Sequence, residues 1–313
     1  EEIPKMSIGA EIVTFNPDVT KLKMNIERVV SQVNQLVLVD NGSNNVDEVR
    51  QLVREFNIKL IELNENKGIA AALNVGMEFF ENLGMTWVIT LDQDSVLPDN
   101  AVLGFKSVEQ FDEPDTGILA SQYDDLNWNE SVRKEKLVDT TSAPIEKDMV
   151  ITSGNMVRIS AWRRAGRFDE WLFIDQVDFD FNARMRLVGY KIWQVNSVLM
   201  SHEIGAAVKN GVFARMLLYK PGASLMQHSP FREYYMQRNT IVFEKRYPEF
   251  KKEKRPLWLF SFIHLRHVFL SDKPFAGFVA GLRGIIDGLR YSPENDNFIN
   301  NFRGTVSNSS SKV

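Results

Sequence analysis

The chain has 313 residues and is 44% hydrophobic, enough to bury the core of one large domain or two smaller ones. Its net charge of −4 excludes a global pull toward nucleic acid or an anionic membrane. The absence of cysteine excludes disulfides, zinc–thiolate sites and thiol catalysis, and fits a reducing compartment.

No signal peptide is visible, and no apolar run reaches the roughly 18 residues needed to span a bilayer. The expectation is a cytoplasmic protein whose membrane contact, if any, is peripheral.

In chain order, strand and helix signals alternate. Ile8 to Phe15 reads as a short buried strand closed by the turn Asn16-Pro17-Asp18. Residues 19–32 carry Val19, Leu22, Ile26, Val29 and Val30 at helical spacing. The strand Gln35 to Val39 stops at Asp40-Asn41-Gly42-Ser43, a turn sequence. A helix over 47–56 and a strand from Ile58 to Leu63 follow. Asn66-Lys67-Gly68 then leads into a run of good helix formers, and Trp87 to Leu91 is the fourth strand. This alternation predicts an α/β fold, a mostly parallel sheet with helices on both faces. The distinctive polar clusters sit just after strands, where open α/β sheets bind ligands.

Residues 121–150 read as irregular linking structure, and a strand is expected around Met149 to Thr152. Helices are expected at Ser160 to Ala165 and from about Val177 to Val188, ahead of a strand-like run from Ile192 to Met200. The boundaries drawn are 1–205 for the α/β domain, 206–300 for a helical, basic and amphipathic region, and 301–313 for a disordered tail.

Three acidic features carry the chemistry. Asp92 and Asp94 end the fourth strand one residue apart, and in extended backbone they point to one side. Such a pair repels unless a cation lies near it. Hard oxygen ligands in low number suit Mg²⁺ or Mn²⁺, with water and phosphate completing the shell; a solvated turn is the plainer alternative. Asp40 is either turn chemistry or an acceptor for a nucleobase imide or sugar hydroxyls. Asp175, Asp178 and Asp180 crowd within six residues. Helical spacing puts the first two on one face. Their roles are either to complement the helix dipole or, desolvated by Phe173, Ile174, Val177, Phe179 and Phe181, to act as a general base. His202 follows a strand and is a candidate metal or phosphate ligand.

The motifs V-T-F-N-P, V-D-N-G-S, N-x-G-I-A-A-A-L-N-x-G, L-D-Q-D-S, S-G-N-M, V-D-F-D with R-x-x-G-Y, and H-E-I-G occur in that order over residues 6–205. In order and spacing the chain resembles the inverting glycosyltransferases of family 2, with their Rossmann-like GT-A fold. L-F-I-D-x-V-D and Y-Y-x-x-R-N, the latter at 234–239, resemble bacterial rhamnosyltransferases within that family. The resemblance implies that Thr14 and Asn16 line a nucleotide pocket and Asp40 holds the pyrimidine. It implies that Asn66, Lys67 and Gly68 contact the nucleotide side of the donor. Asp92 would lie near the ribose and metal, and Asp94 would ligate the Mg²⁺ or Mn²⁺. Gly154 and Asn155 would border donor sugar and acceptor, and His202 would complete the metal or diphosphate site. Asp178 falls at the catalytic base. Because Val177 stands where the family carries Glu, Asp175 is the second choice. Arg238 is assigned to offset diphosphate charge. The implied donor is dTDP-L-rhamnose, and the acceptor a saccharide or lipid-linked saccharide of a bacterial surface polysaccharide.

Residues 201–290 hold 15 Lys+Arg against 7 Asp+Glu. Within them, 275–291 form an apolar helical stripe (Phe275, Phe278, Val279, Leu282, Ile285, Ile286, Leu289) beside a glycine stripe (Gly277, Gly281, Gly284, Gly288). Packing in a core or a homo-oligomer competes with docking on an anionic membrane. Two other functions compete. A sugar-phosphate nucleotidyltransferase would carry a Gly-rich loop where this chain has T-F-N-P-D. A non-catalytic nucleotide-sugar or glycan-binding protein would not need Asp178.

Overall fold

The computed structural model describes residues 6–125, 128–202, 228–250 and 256–310. The chain forms two compact units. One is Glu1–Phe173 with Val177–Glu203, and the other is Ile174–Gln176 with Ile204–Val313. The boundary expected at 205 falls two residues beyond the end of the first unit, and residues 174–176 of the α/β half belong to the C-terminal unit.

The first unit opens as the alternation predicts: β1 (Ile8–Thr14), α1 (Val19–Val29), β2 (Gln35–Asp40), α2 (Val46–Phe56), β3 (Lys59–Glu62), α3 (Ile69–Asn82) and β4 (Trp87–Asp92). Local chemistry sets these limits. Asp18 caps α1 by accepting from the amides of Thr20 and Lys21. Asn57 ends α2 in the left-handed region at φ 50°. All seven residues of β1 are buried, as a strand covered on both faces must be.

Then come β5 (Ser95–Val96), α4 (Ala101–Lys106), β6 (Thr116–Asp125), α5 (Glu130–Lys136), β7 (Ile145–Glu146), β8 (Asn155–Arg158), α6 (Ile159–Arg164), α7 (Val177–Leu187) and β9 (Lys191–His202). The sheet runs β3-β2-β1-β4-β8-β6-β9-β5, with β7 paired to β9. Its first four strands are parallel. β8 is antiparallel to both neighbours, and β6 and β9 are parallel to each other.

Two expectations fail in the middle of the chain. Residues 121–125 are strand, not linker. Gln122 is buried there because its amide donates to the carbonyls of Val138 and Asn196 and accepts from the Val138 amide. Polar strand residues satisfied from afar read locally as loop. Residues 149–152 are not a strand. The Ile151 and Thr152 carbonyls accept from the side chains of Asn155 and Thr90 instead of a ladder.

The second unit contains α8 (Pro230–Arg246), α9 (Leu257–Leu265), α10 (Pro274–Arg290) and α11 (Asn297–Ser310). The glycine stripe of α10 lies against α8. A Cβ at Gly284 would stand 2.3 Å from the Tyr234 carbonyl oxygen, and one at Gly288 3.0 Å from that of Arg238. Of the apolar stripe, Ile285 is buried with Ile241, Leu265 and Val268, whereas Phe275 is 81% exposed, and Ile286 and Leu289 are also exposed. The tail expected to be disordered from 301 is helical through Ser310. Asp296 accepts from the amides of Phe298 and Ile299, and Ile299 and Phe302 are buried, so the helix is capped and anchored at its start. Among the described residues no helix is long and apolar enough to cross a membrane.

Candidate active site

The loops leaving β1, β2, β3 and β4 are stitched together by side chains. Asp40, at the end of β2, is almost fully buried. Its Oδ1 accepts from the Thr14 and Ser43 hydroxyls, and its Oδ2 from the Gly42 and Ser43 amides. Asn16, exposed at φ 47°, donates its amide to Ser43 Oγ and accepts from the Asn44 amide. Asn41 donates to Asn66 Oδ1 and accepts from the Lys67 amide. Asn66 Oδ1 also accepts from the Gly68 amide. Gln93 accepts from the Phe15 amide, tying the β4 exit to that of β1. Asn41, Ser43 and Gln93 therefore hold the rim, and sequence reasoning passed over them. The signal was present in D-N-G-S, where short polar side chains serve turns.

Both oxygens of Asp40 thus accept bonds, three from its own turn and one from Thr14 on β1. Asn66 and Lys67 are exposed and Gly68 is buried. Gly68 has φ 89°, and any Cβ there would meet the Phe173 carbonyl oxygen at 2.6 Å. That oxygen accepts from the Ile69 amide. The β3 loop is in this way fixed to the chain just ahead of α7.

Asp92 and Asp94 are partly exposed where β4 ends. The Asp92 amide donates to Ser153 Oγ and its carbonyl accepts from Asn25. Ser153 in turn donates to Ser95. Ser95 pairs in register with His202 on β9, and Asp125 of β6 pairs with the same residue. His202 is thereby brought beside the Asp92–Asp94 turn by backbone register; its side chain lies outside the described residues. Asp125 is a neighbour that the sequence did not reveal, because its strand was read as linker. Gly154 (φ 80°) and Asn155 are buried behind this turn, with the Gly154 amide bonded to the Thr90 carbonyl.

The third acidic cluster divides. Helix α7 begins at Val177, after Asp175 at φ 62°, so Asp175 and Asp178 do not share a helix face as expected. Asp175 is held by Arg232 at 2.9 Å. Asp180 and Arg184 form a fully buried pair at 2.8 Å, with Arg184 also donating to the carbonyls of Ala165 and Arg167. Asp178 stays half-buried in the first turn of α7, accepting from the Phe179 amide at 2.9 Å. Asn182 ties α7 to the Val150 carbonyl, three residues before Ser153. Arg238 belongs to the second unit, where it is 8% exposed and its Nε donates to Asn239.

The two partly exposed carboxylates of Asp92 and Asp94 are hard oxygen donors of the kind that suits Mg²⁺ or Mn²⁺. Among the described residues no three acidic or histidine side chains converge tightly enough to hold an ion by themselves.

A sheet of this order, with polar loops gathered at the carboxyl ends of its parallel strands and a helical C-terminal part, is the architecture of GT-A nucleotide-sugar enzymes. The chain belongs to glycosyl transferase family 2, whose pattern it matches over residues 12–168. It is 28% identical over 314 residues to the dTDP-rhamnosyl transferase RfbF of Shigella flexneri, a match covering 91% of this chain and 99% of that protein. In fold it is similar to S. aureus TarS 1-349 in complex with UDP-GlcNAc, with 14% identity and a TM-score of 0.52 over 92% of this chain and 82% of that one. It is also similar to GalNAc-T7 with UDP, GalNAc and Mn²⁺, with 14% identity and a TM-score of 0.53. That match covers 82% of this chain and about half, 52%, of GalNAc-T7.

Proposed function

We propose that this chain transfers L-rhamnose from dTDP-L-rhamnose, with inversion, to a hydroxyl of a saccharide or lipid-linked saccharide in bacterial surface polysaccharide synthesis. One observation carries the reading: the loops after β1 to β4 form a single hydrogen-bonded rim, and Asn182 ties the helix of Asp178 to Val150, in the segment whose Ser153 accepts from the Asp92 amide. The match along nearly all of a dTDP-rhamnosyl transferase supports the donor.

In this reading Thr14, Asn16 and the turn held by Asp40 shape the base pocket, and Asn66, Lys67 and Gly68 meet the nucleotide. Because Asp40 already accepts four bonds from Thr14, Gly42 and Ser43, contact with a base imide exchanges one of them. Asp94, with Asp92 and His202, would hold Mg²⁺ or Mn²⁺, which when bound supplies positive charge to the departing diphosphate. Gly154 and Asn155 border the sugar. Asp178 takes the acceptor O–H proton as the acceptor oxygen bonds to the anomeric carbon. The anomeric carbon–oxygen bond breaks on the opposite face, and its electron pair leaves with the nucleoside diphosphate. A carboxylate bound to a cation is a weak base, so separate acids for the two tasks are what the chemistry needs.

Membrane contact, in this reading, is peripheral and cytoplasmic. Phe275, Ile286 and Leu289 project from α10, and the surrounding sequence is basic. Anionic vesicles should float the wild-type protein and not Phe275→Ser; equal flotation of both would remove this part.

The test of the reaction is transfer from dTDP-L-rhamnose with Mg²⁺ or Mn²⁺. Asp178→Asn should slow transfer about 10²- to 10⁴-fold while the donor still raises the melting temperature. A shift with UDP-sugars and none with dTDP-rhamnose would overturn the donor. Full activity in a chelator would overturn the metal.

A further inference from the structure

The sequence singles out L-F-I-D-x-V-D and Y-Y-x-x-R-N, some 60 residues apart, and the reaction above uses only one residue of the first as its base. Ahead of that base the backbone is unusual. Phe173, Asp175 and Gln176 stand at φ 69°, 62° and 63°, a region L-residues avoid unless held there. The holding groups come from α8. Asn239, wholly buried, donates its two amide hydrogens to the carbonyls of Ile174 at 2.7 Å and Asp175 at 2.9 Å. Its Oδ1 accepts from Arg238 Nε at 2.8 Å, which fixes which end of the amide faces the loop. Arg238 lies over the rings of Tyr235 and Tyr234, at 4.8 Å and 5.6 Å from their centres. Arg232, on the same helix, grips the Asp175 carboxylate at 2.9 Å.

We infer that Y-Y-x-x-R-N is a clamp: Tyr234 and Tyr235 seat Arg238, Arg238 orients Asn239, and Asn239 with Arg232 locks residues 174–176 so that α7 presents Asp178 to the acceptor. Asn239 is a positioning residue and touches no substrate. The second-choice base, Asp175, becomes part of the lock, its carboxylate committed to Arg232. This rests on Asp178 as base. The reason the clamp matters is general. A base works only within hydrogen-bond reach of its proton, and a misplacement of about 1 Å can cost roughly 100-fold.

The experiment is a double-mutant cycle on transfer kinetics. Asn239→Asp keeps volume and the Arg238 partner but removes both donors to the loop. It should lower kcat about 10- to 100-fold with donor KM within about twofold. Combined with Asp178→Asn it should be no slower than Asp178→Asn alone, because both act through one group. Additive losses would overturn the clamp, as would a wild-type kcat in Asn239→Asp. Full activity in Asp178→Asn would instead overturn the base assignment and the clamp with it. If Asn239→Asp does not fold, Arg232→Ala replaces it in the same cycle. A few-fold loss of kcat at unchanged donor KM is then expected, and a wild-type kcat is fatal.

Discussion

Two short acidic stretches look alike on paper, Asp92-Gln93-Asp94 and Asp175-Gln176-Val177-Asp178. They are built on opposite principles. The first is a strand exit in ordinary geometry, held by neighbours that the sheet brings close: Asn25, Ser153 and the Phe15 amide. The second passes through two consecutive left-handed residues and is held by side chains from Arg232 and Asn239. Regular structure places the proposed metal ligands. An imposed, strained turn leads to the proposed base. A cation such as Mg²⁺ keeps several waters and needs few protein ligands, whereas a general base must itself come within hydrogen-bond reach of the proton it takes.

That contrast can be broken experimentally. The largest effect expected is in Asp178→Asn, with kcat down about 10²- to 10⁴-fold and no recovery at high Mn²⁺. Asp94→Asn should recover part of its lost activity as Mn²⁺ is raised. Equal rescue of both would mean that the acids are not separate in role.

Asp180→Ala comes next. It leaves the wholly buried Arg184 without its carboxylate, at a cost of about 3–5 kcal/mol in denaturant unfolding. The folded fraction should keep its kcat; a loss of kcat without a loss of stability would return Asp180 to the site.

The comparison sharpens against a carboxylate with neither kind of support. Glu11, in the middle of β1, is fully buried, its oxygens have no hydrogen-bond partner among the described residues, and burial pushes its carboxyl well up. The folded state therefore holds that proton more tightly than the unfolded state. Its contribution to stability is complete below the unfolded carboxyl range, near about pH 4, and is lost as pH rises through the raised folded value. Glu11→Gln should gain about 1–3 kcal/mol at neutral pH, shrinking to little near about pH 4. A gain independent of pH would show that ionisation is not the cause.

Gln93→Ala should have the smallest effect. It removes one partly exposed bond to the Phe15 amide, worth about 1 kcal/mol, with a modest rise in donor KM.

Much was readable locally. The order of elements through β4, the Asp18 cap, and the polar turns after β1, β2, β3 and β4 follow from periodicity and turn chemistry within a few residues. The glycine stripe of α10 announced close packing, and α8 is where it packs. The candidate site was readable as a set of motifs with separate metal-binding and base roles implied by resemblance, but the side chains that hold each motif in place were not.

By itself, then, the sequence determined the alternating α/β pattern and which turns carry polar groups, because those depend on side-chain period and on bonds spanning two or three residues. Only tertiary structure decided that Gln122 lies in a strand, that Asp175, Asp178 and Asp180 have three different environments, and that Y-Y-x-x-R-N grips the loop before α7. Each of those outcomes depends on a partner many residues away, and no local pattern encodes which distant donor a carboxylate or carbonyl will meet.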